Sequence, residues 1–417
     1  MNLNQNQIFF KNHIYTWYDL LKKFENKLDQ LDKNFNSRVI FAVSNNLDAL
    51  AVVVGGIIKK LDFGVVSKSR ITDDLTDHLC QQGISIYDYD NSVKLSDVTE
   101  NRVFSHGRIN VLTSGTTNIP KLIAHNIESL NTYDKIKTLD PNNWFLSYQI
   151  GSYAWYQLVF LSLCVPEQHL VLNNSTDLIE DFEELLLENK ITAVSSTPSF
   201  WRQFLITVDI EKIHNCLKII SLGGEIVDQS ILDQLKNLFP TAIIRHIYAS
   251  SESGAAIIVS DGLAGFDARL LKDSVDSRIS LKIVNGRLHI RSCYGNIDSI
   301  DNWIDTGDLV EQQGNRVYFR GRSDNQIINV GGQKVYAAVV EERLLDHPDV
   351  HWAQVVAKRT PILGYLPIAN IVLKNKIDYL QAEKDLTRFC EEKLPEYSVP
   401  RIWNFLDNVP LLDSLKT

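Results

Sequence analysis

The sequence has few of the features that mark secreted, membrane-spanning or metal-binding proteins. Its five cysteines are scattered along 417 residues without paired spacing, which argues against a disulfide framework or a zinc site and is typical of reduced thiols in a cytoplasm. The longest apolar run covers residues 49–58 and is too short to cross a bilayer. The amino terminus lacks the basic start and apolar core of a secretory leader. We therefore expect a cytoplasmic protein without a membrane span.

The charge balance also argues against one class of partner. The chain carries 42 basic and 51 acidic side chains, a net charge of -9, and has no basic run. Nucleic acid is therefore not expected as a partner. A hydrophobic content of 44% and a charged content of 22% are ordinary, and 417 residues are enough for two or three domains with a large core.

Apolar segments of strand length alternate with helix-patterned segments up to about residue 250. Strands are expected at residues 38–44, 63–67, 108–112, 144–148, 169–172, 191–195, 217–221 and 242–248, and helices at 15–24, 47–60 and 178–189. This alternation predicts parallel sheets covered by helices. Ligands of such sheets bind beyond the carboxyl ends of the strands, where polar residues 113–117, 223–225 and 249–252 fall.

The pattern changes near residue 280. Two alternating segments, 279–284 and 287–291, flank Asn285-Gly286, which predicts a hairpin with a tight primed turn. Residues 317–319 are expected to add another antiparallel strand. From Gly321 onwards, helices at 339–345 and 379–393 and strands at 352–357 and 368–373 predict a separate small α+β domain.

One stretch carries the strongest functional signal. The strand at 108–112 runs into Thr113 and further small or turn-forming residues, and Lys121 follows. Such a loop presents backbone N–H groups, hydroxyls and an ammonium to an anion. It is not a Walker A loop, because Pro120 precedes the lysine and no Ser or Thr follows it. Taken alone, the stretch also fits an ordinary Ser/Thr/Gly turn.

The stretch from Thr113 to Lys121 resembles the phosphate loop of the adenylate-forming superfamily, which includes acyl- and aryl-CoA synthetases, stand-alone adenylation domains and beetle luciferase. Asn118 replaces a glycine of that loop, and asparagine tolerates left-handed backbone geometry. Five further signatures of the superfamily follow in the same order. The resemblance extends from about Arg108 to the end of the chain.

A longer signature is formed by residues 248–252. This stretch resembles the superfamily segment in which a tyrosine stacks on adenine, a hydroxyl contacts phosphate and a glutamate holds Mg²⁺, roles that the resemblance gives to Tyr248, Ser251 and Glu252. A carboxylate beside a triphosphate suits a hard cation. Taken alone, the stretch also fits a capping serine followed by a glutamate at the start of a helix.

Two shorter signatures lie on either side of the predicted hairpin. Residues 221–225 resemble the glycine loop along the adenine and acyl pocket, and paired glycines allow a close backbone approach. Residues 306–308 contain the Thr-Gly-Asp whose aspartate, here Asp308, binds the ribose hydroxyls, since one carboxylate can accept both bonds. Alone, each would be read as an ordinary turn.

The last two signatures belong to the small domain. Residues 321–335 resemble the hinge segment, which implies that Arg322 contacts the nucleotide and Asp324 is the pivot, while Gly331 and Gly332 line a tunnel for the thiol. Residues 410–416 resemble the final motif, which implies a catalytic role for Lys416, although Leu415 stands where glycine is usual.

The acyl pocket departs from the usual pattern. Tyr148-Gln149 stands where an aromatic-His pair is common. Tyr153 and Trp155 follow, and their rings would either shorten the pocket or pack in the core. If the rings shorten the pocket, a compact aromatic or a short- to medium-chain acid is the expected substrate.

These observations together predict an α/β protein. A large N-terminal α/β domain with parallel sheets and a small antiparallel β-subdomain is expected at residues 1–321, and a mobile α+β lid at 322–417. The resemblance implies catalytic roles for Lys416, Glu252, Ser251 and Thr113, and an acyl pocket formed by Tyr148, Gln149, Tyr153, Trp155 and Ser250. It implies nucleotide binding by Thr113, Ser114, Gly115, Thr116, Thr117, Lys121, Gly223, Gly224, Glu225, His246, Tyr248, Ala249, Ser251, Asp308 and Arg322.

The resemblance implies a two-step reaction. ATP and Mg²⁺ activate a small carboxylic acid as an acyl-adenylate, which then reacts with the thiol of CoA or of a phosphopantetheine arm on an acyl carrier protein. Amino-acid activation is less expected, because no aspartate lies between residues 144 and 167 to hold an α-amino group. Asn118, Gln149 and Leu415 leave open an alternative, a non-catalytic nucleotide- or acyl-binding protein on a degenerate ligase fold.

Overall fold

The structure is a computed structural model. It describes residues 3–28, 38–96, 107–113, 120–136, 139–173, 179, 182–272, 277–300, 302–322, 327–330, 332–360, 364–375 and 378–410. Within these ranges the strands form four sheets. No helix in the described ranges is long and apolar enough to cross a bilayer.

The amino-terminal third contains all of a six-stranded sheet. Its elements are β1 Gln7–Phe10, β2 His13–Thr16, α1 Trp17–Leu28, β3 Arg38–Val43, α2 Asn46–Ile58, β4 Phe63–Ser67, α3 Asp73–Gln81, β5 Ile84–Asp88, β6 Val93–Ser96, β7 Ile109–Thr113, β8 Lys121–His125 and α4 Ile127–Leu130. The strand order is β6-β5-β3-β4-β7-β8, with β5, β3, β4 and β7 parallel and with antiparallel strands at both edges. The continuous apolar run of β3 fits a strand that is covered on both faces.

The middle third builds an eight-stranded sheet. Its elements are β9 Asn142–Leu146, α5 Tyr153–Cys164, β10 Gln168–Leu172, α6 Phe182–Glu188, β11 Ala193–Ser196, α7 Pro198–Thr207, α8 Ile210–Ile213, β12 Ile219–Gly223, α9 Gln229–Leu238, β13 Ile243–Ser250, β14 Gly254–Val259 and β15 Phe266–Asp267. The order is β14-β13-β12-β11-β9-β10-β1-β2, so the amino-terminal hairpin extends this sheet. Only the edge strands β14 and β2 are antiparallel to their neighbours.

The last third contains one small sheet and all but one strand of another. Its elements are β16 Ile279–Val284, β17 Arg287–Ser292, β18 Ile304–Gln313, β19 Arg316–Arg322, β20 Ile327–Val330, β21 Gln333–Tyr336, α10 Ala337–Leu345, β22 Val350–Thr360, β23 Gly364–Leu373, α11 Tyr379–Glu391 and β24 Ile402–Phe405. The antiparallel sheet has the order β15-β19-β18-β17-β16. The second sheet has the order β21-β20-β23-β22, and β24 pairs in parallel with β23.

Alternation along the strands assigns the two faces of the eight-stranded sheet to two cores. Trp144, Leu146 and Ala193 pack in a cluster with residues of the six-stranded sheet, whereas Phe145 and Val194 pack in a cluster with α6, α7 and α9. We call the face that carries Trp144 the inner face, because it is enclosed between the two large sheets. The carboxyl-terminal sheet has its own core with α10 and α11.

The expected fold class is confirmed. The α/β body, the antiparallel subdomain and the carboxyl-terminal α+β part are all present, and Asn285 and Gly286 have the positive φ angles of 51° and 73° that a primed turn requires. One expectation was wrong, because residues 15 and 16 belong to β2 and the first helix begins at Trp17. Lys11 and Asn12 also have positive φ, and this tight turn pairs β1 with β2.

Candidate functional site

The predicted phosphate loop joins two paired strands. β7 ends at Thr113 and β8 begins at Lys121, and these two residues are cross-strand partners. The side chain of Lys121 is exposed. The arrangement is strand, loop, strand, whereas a Walker A loop leads into a helix. Ser114, Gly115, Thr116 and Thr117 lie outside the described residues, as does Asn118, so the structure fixes the two ends of the loop.

A buried histidine connects this hairpin to the 250–254 turn. His125, at the end of β8, contacts the carbonyl oxygen of Ser251 through Nε2 at 2.8 Å and the hydroxyl of Ser129 through Nδ1 at 3.0 Å. A carbonyl can only accept, so Nε2 carries the hydrogen. Burial lowers the pKa of His125 to about 4 and keeps the ring neutral. Sequence reasoning missed this residue, because only the packing of the two sheets brings it to Ser251.

Three of the predicted nucleotide-binding residues meet at one place. The Tyr248 hydroxyl donates a hydrogen bond to Oδ2 of Asp308, and Nε of Arg322 lies 3.8 Å from Oδ1 of the same carboxylate. Asp308 and Arg322 are cross-strand partners on β18 and β19. The Tyr248 ring stacks on Phe319 with 4.8 Å between centroids. The site thus offers an aromatic face beside a carboxylate, as a nucleoside requires.

Burial dominates the electrostatics of this group. Desolvation raises the pKa of Asp308, and the Tyr248 hydroxyl and Arg322 act against that rise. The pKa of Tyr248 is raised well above its ordinary value, because burial and the Asp308 charge both disfavour the phenolate. Tyr248 therefore remains a neutral donor. The Glu252 charge is close enough to contribute to the raised pKa of Asp308.

Glu252 lies beside this group in the turn between β13 and β14. The turn is fixed by the Ser250 hydroxyl, which is 2.9 Å from the Ser253 hydroxyl, and by the backbone N–H of Asn296, which donates to the Glu252 carbonyl at 2.8 Å. Among the described residues, no basic side chain forms an ion pair with Glu252, and no cluster of three acidic, histidine or cysteine side chains could enclose a metal ion. A single carboxylate of this kind suits Mg²⁺, which is usually held by one or two carboxylates together with phosphates and water.

The glycine loop lies at the carboxyl end of β12. A Cβ at Gly223 would come within 3.1 Å of the Ile247 carbonyl oxygen and 3.7 Å of the Tyr148 hydroxyl. Gly224 has a φ of 84°, which favours glycine. The backbone is therefore free to approach a ligand here. Glu225 uses Oε2 to accept from the N–H of Ser199 at the start of α7, at 3.0 Å.

Two other predicted nucleotide-binding residues have structural partners. Nε2 of His246 lies 3.0 Å from the Leu263 carbonyl oxygen, and burial lowers the pKa of the ring. Ala249 pairs with Ala255 next to a register shift between β13 and β14 and packs against the inner core. The predicted contacts of His246, Ala249 and Glu225 with a nucleotide remain predictions.

Two residues of the predicted acyl pocket, Tyr148 and Tyr153, pack in the core on the inner face. The Tyr148 hydroxyl is 3.1 Å from the Ser195 hydroxyl, and both side chains are buried. The Tyr153 hydroxyl accepts from the N–H of Ala255 at 3.0 Å, and its ring lies 5.6 Å from that of His125. Burial raises the pKa of both tyrosines. These two rings would therefore form walls of a pocket and not acid–base groups.

Trp155 and Gln149 have other surroundings. The Trp155 indole is 0% exposed and donates from Nε1 to Asn46 at 2.8 Å, so it packs in the core between α5 and α2. A fully packed ring of this kind supports the reading of Trp155 as a core residue. The Gln149 carbonyl accepts from the Ser152 N–H at 3.1 Å, which shapes the turn before α5.

The carboxyl-terminal part docks on the body through a buried contact. Arg202 of α7 forms an ion pair of 2.5 Å with Asp228 and donates to the His351 carbonyl at 3.0 Å, and Nε2 of His351 donates to the Arg202 carbonyl at 2.6 Å. Glu341 of α10 accepts from the Val355 N–H at 2.7 Å. Desolvation, together with the nearby charges of Glu225 and Asp228, raises the pKa of Glu341 to about 7.

The remaining predicted residues of the small domain are only partly described. Gly332 lies in the turn between β20 and β21 with a φ of 89°, and a Cβ there would meet no atom within 4 Å. Gly331, the pivot Asp324 and the catalytic candidate Lys416 lie outside the described residues. Their predicted roles remain predictions.

The sequence matches two family models. The one described as AMP-binding enzyme matches residues 109–294, and the one described as AMP-binding enzyme C-terminal domain matches residues 339–416. Both matches fall in the region where the signatures were found.

Curated relatives include 2-succinylbenzoate–CoA ligases. One from Bacillus cytotoxicus is 39% identical over 113 residues, which is 27% of this chain and 22% of that protein. One from Bacillus velezensis is 24% identical over 375 residues, which is 80% of this chain and 74% of that protein. In the alignment with the Bacillus cytotoxicus relative, the chain thus spans about a fifth of the relative's length.

Solved structures resemble the whole chain. An o-succinylbenzoate CoA synthetase from Bacillus subtilis, bound to its acyl-adenylate intermediate, superposes with a TM-score of 0.71 at 17% identity and covers 99% of this chain and 94% of that one. An anthranilate CoA ligase in complex with anthranoyl-AMP gives 0.72 at 16% identity and covers 99% and 92%. At these identities the likeness shows the fold.

Proposed function

The chain belongs to the adenylate-forming superfamily of AMP-binding enzymes, and on that premise we propose that it activates a carboxylic acid with ATP and transfers the acyl group to a thiol. The observation that carries the proposal is the meeting of Tyr248, Asp308 and Glu252 at the carboxyl end of β13. An aromatic face, a carboxylate suited to a ribose and a second carboxylate suited to a metal lie together there. His125 joins this group to the hairpin that ends in Thr113 and Lys121.

In the first step a carboxylate oxygen of the acid attacks the α-phosphorus of ATP. The new bond joins the acyl oxygen to phosphorus, the bond from the α-phosphorus to the bridging oxygen breaks, and pyrophosphate leaves with the electron pair. The chain's contribution is to hold the reactants in line and to neutralise charge. Tyr248 and Asp308 would orient the nucleoside. Thr113, Lys121 and the loop between them would hold the phosphates.

Glu252 would hold Mg²⁺. The bound ion would neutralise phosphate charge. The absence of an ion pair on Glu252 among the described residues leaves its carboxylate available for that role.

In the second step a thiol attacks the acyl carbon. The carbon–sulfur bond forms, the bond to the phosphate oxygen breaks, AMP leaves, and the thiol proton passes to water. We place the mobile lid at residues 322–417, on the support of its separate core. Lys416 would stabilise charge near the α-phosphate in the first step, and rotation about Asp324 would then bring Gly331 and Gly332 to the thiol.

Aromatic acids are the first candidates for the substrate. The relatives and neighbours act on 2-succinylbenzoate and anthranilate, and the Tyr148 and Tyr153 rings suit a compact acid. We propose CoA as the thiol, with the phosphopantetheine arm of an acyl carrier protein as the second candidate. All five cysteines lie in described residues and none is paired, which supports a cytoplasmic location.

Exchange of labelled pyrophosphate into ATP tests the first step without a thiol. The panel should include 2-succinylbenzoate, anthranilate, benzoate, octanoate and a sixteen-carbon acid. We expect Mg²⁺-dependent exchange with one or more aromatic acids, and weaker exchange with the sixteen-carbon acid.

Thioester formation with CoA or with a phosphopantetheinylated carrier protein then identifies the acceptor. Exchange with no acid, while the protein still binds ATP or AMP, would contradict the proposal and favour a nucleotide-binding protein that has lost its chemistry. Best turnover with the sixteen-carbon acid would contradict the aromatic substrate class.

A further inference from the structure

A row of polar side chains crosses the inner face of the eight-stranded sheet. Ser195 pairs with Ser221, and Ser221 pairs with Arg245, on the adjacent strands β11, β12 and β13. Nε of Arg245 donates to the Ser221 hydroxyl at 2.7 Å, and Ser195 contacts the Tyr148 hydroxyl at 3.1 Å. The row therefore begins at a wall of the predicted acyl pocket and ends at a guanidinium.

Arg245 has no acidic partner among the described residues. The Arg245 side chain contacts the Ser221 hydroxyl, and its guanidinium carbon lies 6.0 Å from the centre of the Trp144 ring. It also interacts electrostatically with Tyr133. Burial lowers its pKa. A guanidinium has five donor hydrogens, and within the described part of the chain Arg245 uses one of them. Removing such a cation from water is costly unless an anion compensates it, so the site favours an anion.

The position of Arg245 fits the far end of an acyl pocket. It precedes Tyr248 by three residues on β13, a distance of roughly 10 Å along a strand. Its guanidinium approaches Trp144, which lies on β9 four residues before Tyr148 and thus farther from the carboxyl ends of the strands. Tyr133 interacts electrostatically with Arg245 as well as with Tyr148 and Tyr153. Tyr133 is therefore close both to Arg245 and to the two tyrosines of the predicted acyl pocket.

We propose that Arg245 is a specificity residue that binds a second carboxylate of the substrate acid, so that the preferred substrates are dicarboxylic acids. The proposal rests on the proposed function, because it takes the first carboxylate to be the one that is adenylated. A carboxylate can accept two parallel N–H bonds from a guanidinium. The two carboxylates must be separated by about one ring or a short chain, given the spacing along β13.

The contact also gives Ser221 a role. By accepting from Nε it fixes the plane of the guanidinium and leaves the other nitrogens for the substrate. Ser221 is therefore a positioning residue for Arg245.

Matched pairs of acids test the assignment. 2-Succinylbenzoate is compared with 4-oxo-4-phenylbutanoate, which lacks the ring carboxylate, and terephthalate, whose carboxylates are one ring apart, is compared with benzoate. The measured quantity is the ratio of kcat/KM for the dicarboxylic acid to that for its monocarboxylic partner in pyrophosphate exchange. The wild-type ratio should exceed about 10 in at least one pair, since a hydrogen bond to a charged group typically changes affinity by about 10- to 100-fold.

Arg245→Leu should lower that ratio about 10- to 100-fold, mainly through KM of the dicarboxylic acid, and Arg245→Lys should recover part of it. Arg291→Leu is the matched control, because Arg291, in the antiparallel subdomain, has the same two kinds of contact. It contacts the Ser280 hydroxyl at 3.3 Å and the Trp303 ring at 5.1 Å. This control should leave the ratio unchanged. If Arg245→Leu does not fold, Arg245→Gln gives the same comparison with a side chain that can still donate to Ser221.

Equal losses for both acids of a pair in the Arg245 variants would overturn the proposal and assign Arg245 to packing. A wild-type ratio near or below 1 in both pairs would overturn it as well. If the wild type activates no acid, the proposed function fails, and calorimetric titration with the two dicarboxylic acids then tests Arg245 alone. Binding that Arg245→Leu abolishes supports the contact, and unchanged or absent binding overturns it.

Discussion

Tyr248 and Asp308 are joined by a hydrogen bond in which the phenol hydroxyl donates to the carboxylate. The bond links β13 of the body to β18 of the antiparallel subdomain, and it occupies an acceptor that ribose hydroxyls would use. The ribose hydroxyls of ATP would therefore compete with the Tyr248 hydroxyl for the Asp308 carboxylate. The Tyr248 ring can stay in place, because it is already stacked on Phe319.

This relationship gives opposite expectations for two substitutions. Asp308→Asn should raise KM for ATP about 10- to 100-fold, because a charged acceptor is lost. Tyr248→Phe keeps the ring and removes a competing donor, so KM for ATP should stay the same or fall. Pyrophosphate exchange with ATP varied at saturating acid measures both. Equal increases in KM for the two variants would mean that the Tyr248 hydroxyl binds the nucleotide directly.

Glu252→Gln should reduce Mg²⁺-dependent exchange by roughly 10²-fold or more, because a charged oxygen ligand beside the triphosphate is lost. The fold should be unaffected, since no ion pair of Glu252 exists among the described residues. Glu311→Gln is the control, because it removes an exposed carboxylate that pairs with Arg320 at 2.9 Å, outside the predicted site. Near-normal exchange by the Glu252 variant would remove Glu252 from the metal site.

Lys416→Ala should depress adenylate formation by about 10²–10³-fold, the typical cost of losing one donor to developing charge. Thioester formation from a supplied acyl-adenylate should be spared, because the α-phosphate is no longer under attack in that step. Lys384→Ala removes an exposed lysine of α11 and serves as the control. A loss of the same size in both half-reactions would argue against a lid with two positions.

Gly332→Leu should leave pyrophosphate exchange nearly intact and slow thioester formation, because a side chain would enter the path of the thiol. The φ of 89° at Gly332 means that any side chain also strains the turn. Gly286→Leu controls for that strain, because Gly286 also lies in a hairpin turn with positive φ and open space at its Cβ. If both variants slow thioester formation alike, the effect comes from strain and not from the tunnel.

The raised pKa of Glu341 predicts that the docking of the small domain depends on pH. Its pKa is raised from the ordinary 4.5 to about 7 by burial and by Glu225 and Asp228. A carboxyl with a raised pKa stabilises the docked state fully below pH 4.5, and that stabilisation is lost as the pH rises through about 7. The free energy of unfolding of the wild type, relative to Glu341→Gln, should therefore fall over this range by up to about 3 kcal/mol.

Thermal unfolding of both proteins from pH 4 to 8 measures this difference. His351, whose pKa burial lowers to about 4, acts in the opposite direction as the pH falls below its ordinary value. It is present in both proteins, so the difference isolates Glu341. A difference that does not vary with pH would show that Glu341 does not change protonation on docking.

Local sequence patterns were enough to predict most of the fold. The apolar run at Val39 and the Asn285-Gly286 turn carry their own geometry, since a buried parallel strand and a primed turn restrict which residues fit. The error at residues 15 and 16 arose because a tight turn at Lys11 and Asn12 pairs β2 with β1, and pairing prevailed over helical periodicity.

The site was predictable where it depends on short signatures and not where it depends on packing. Tyr248 and Asp308 stood out as parts of contiguous motifs. His125 and Arg245 did not, because their partners are distant. Ser251 lies 126 residues after His125 in the chain. Trp144 lies three strands away from Arg245 in the sheet. Such contacts follow from the closure of the two large sheets, which no local pattern encodes.

The most direct test of the account is to observe the intermediate. The protein is incubated with ATP, Mg²⁺ and the best acid of the panel in the absence of a thiol, and the bound nucleotides are identified by mass spectrometry. We expect an acyl-adenylate together with released pyrophosphate, followed by AMP and a thioester when CoA is added. Formation of ADP and phosphate, or retention of unreacted ATP with every acid of the panel, would contradict it.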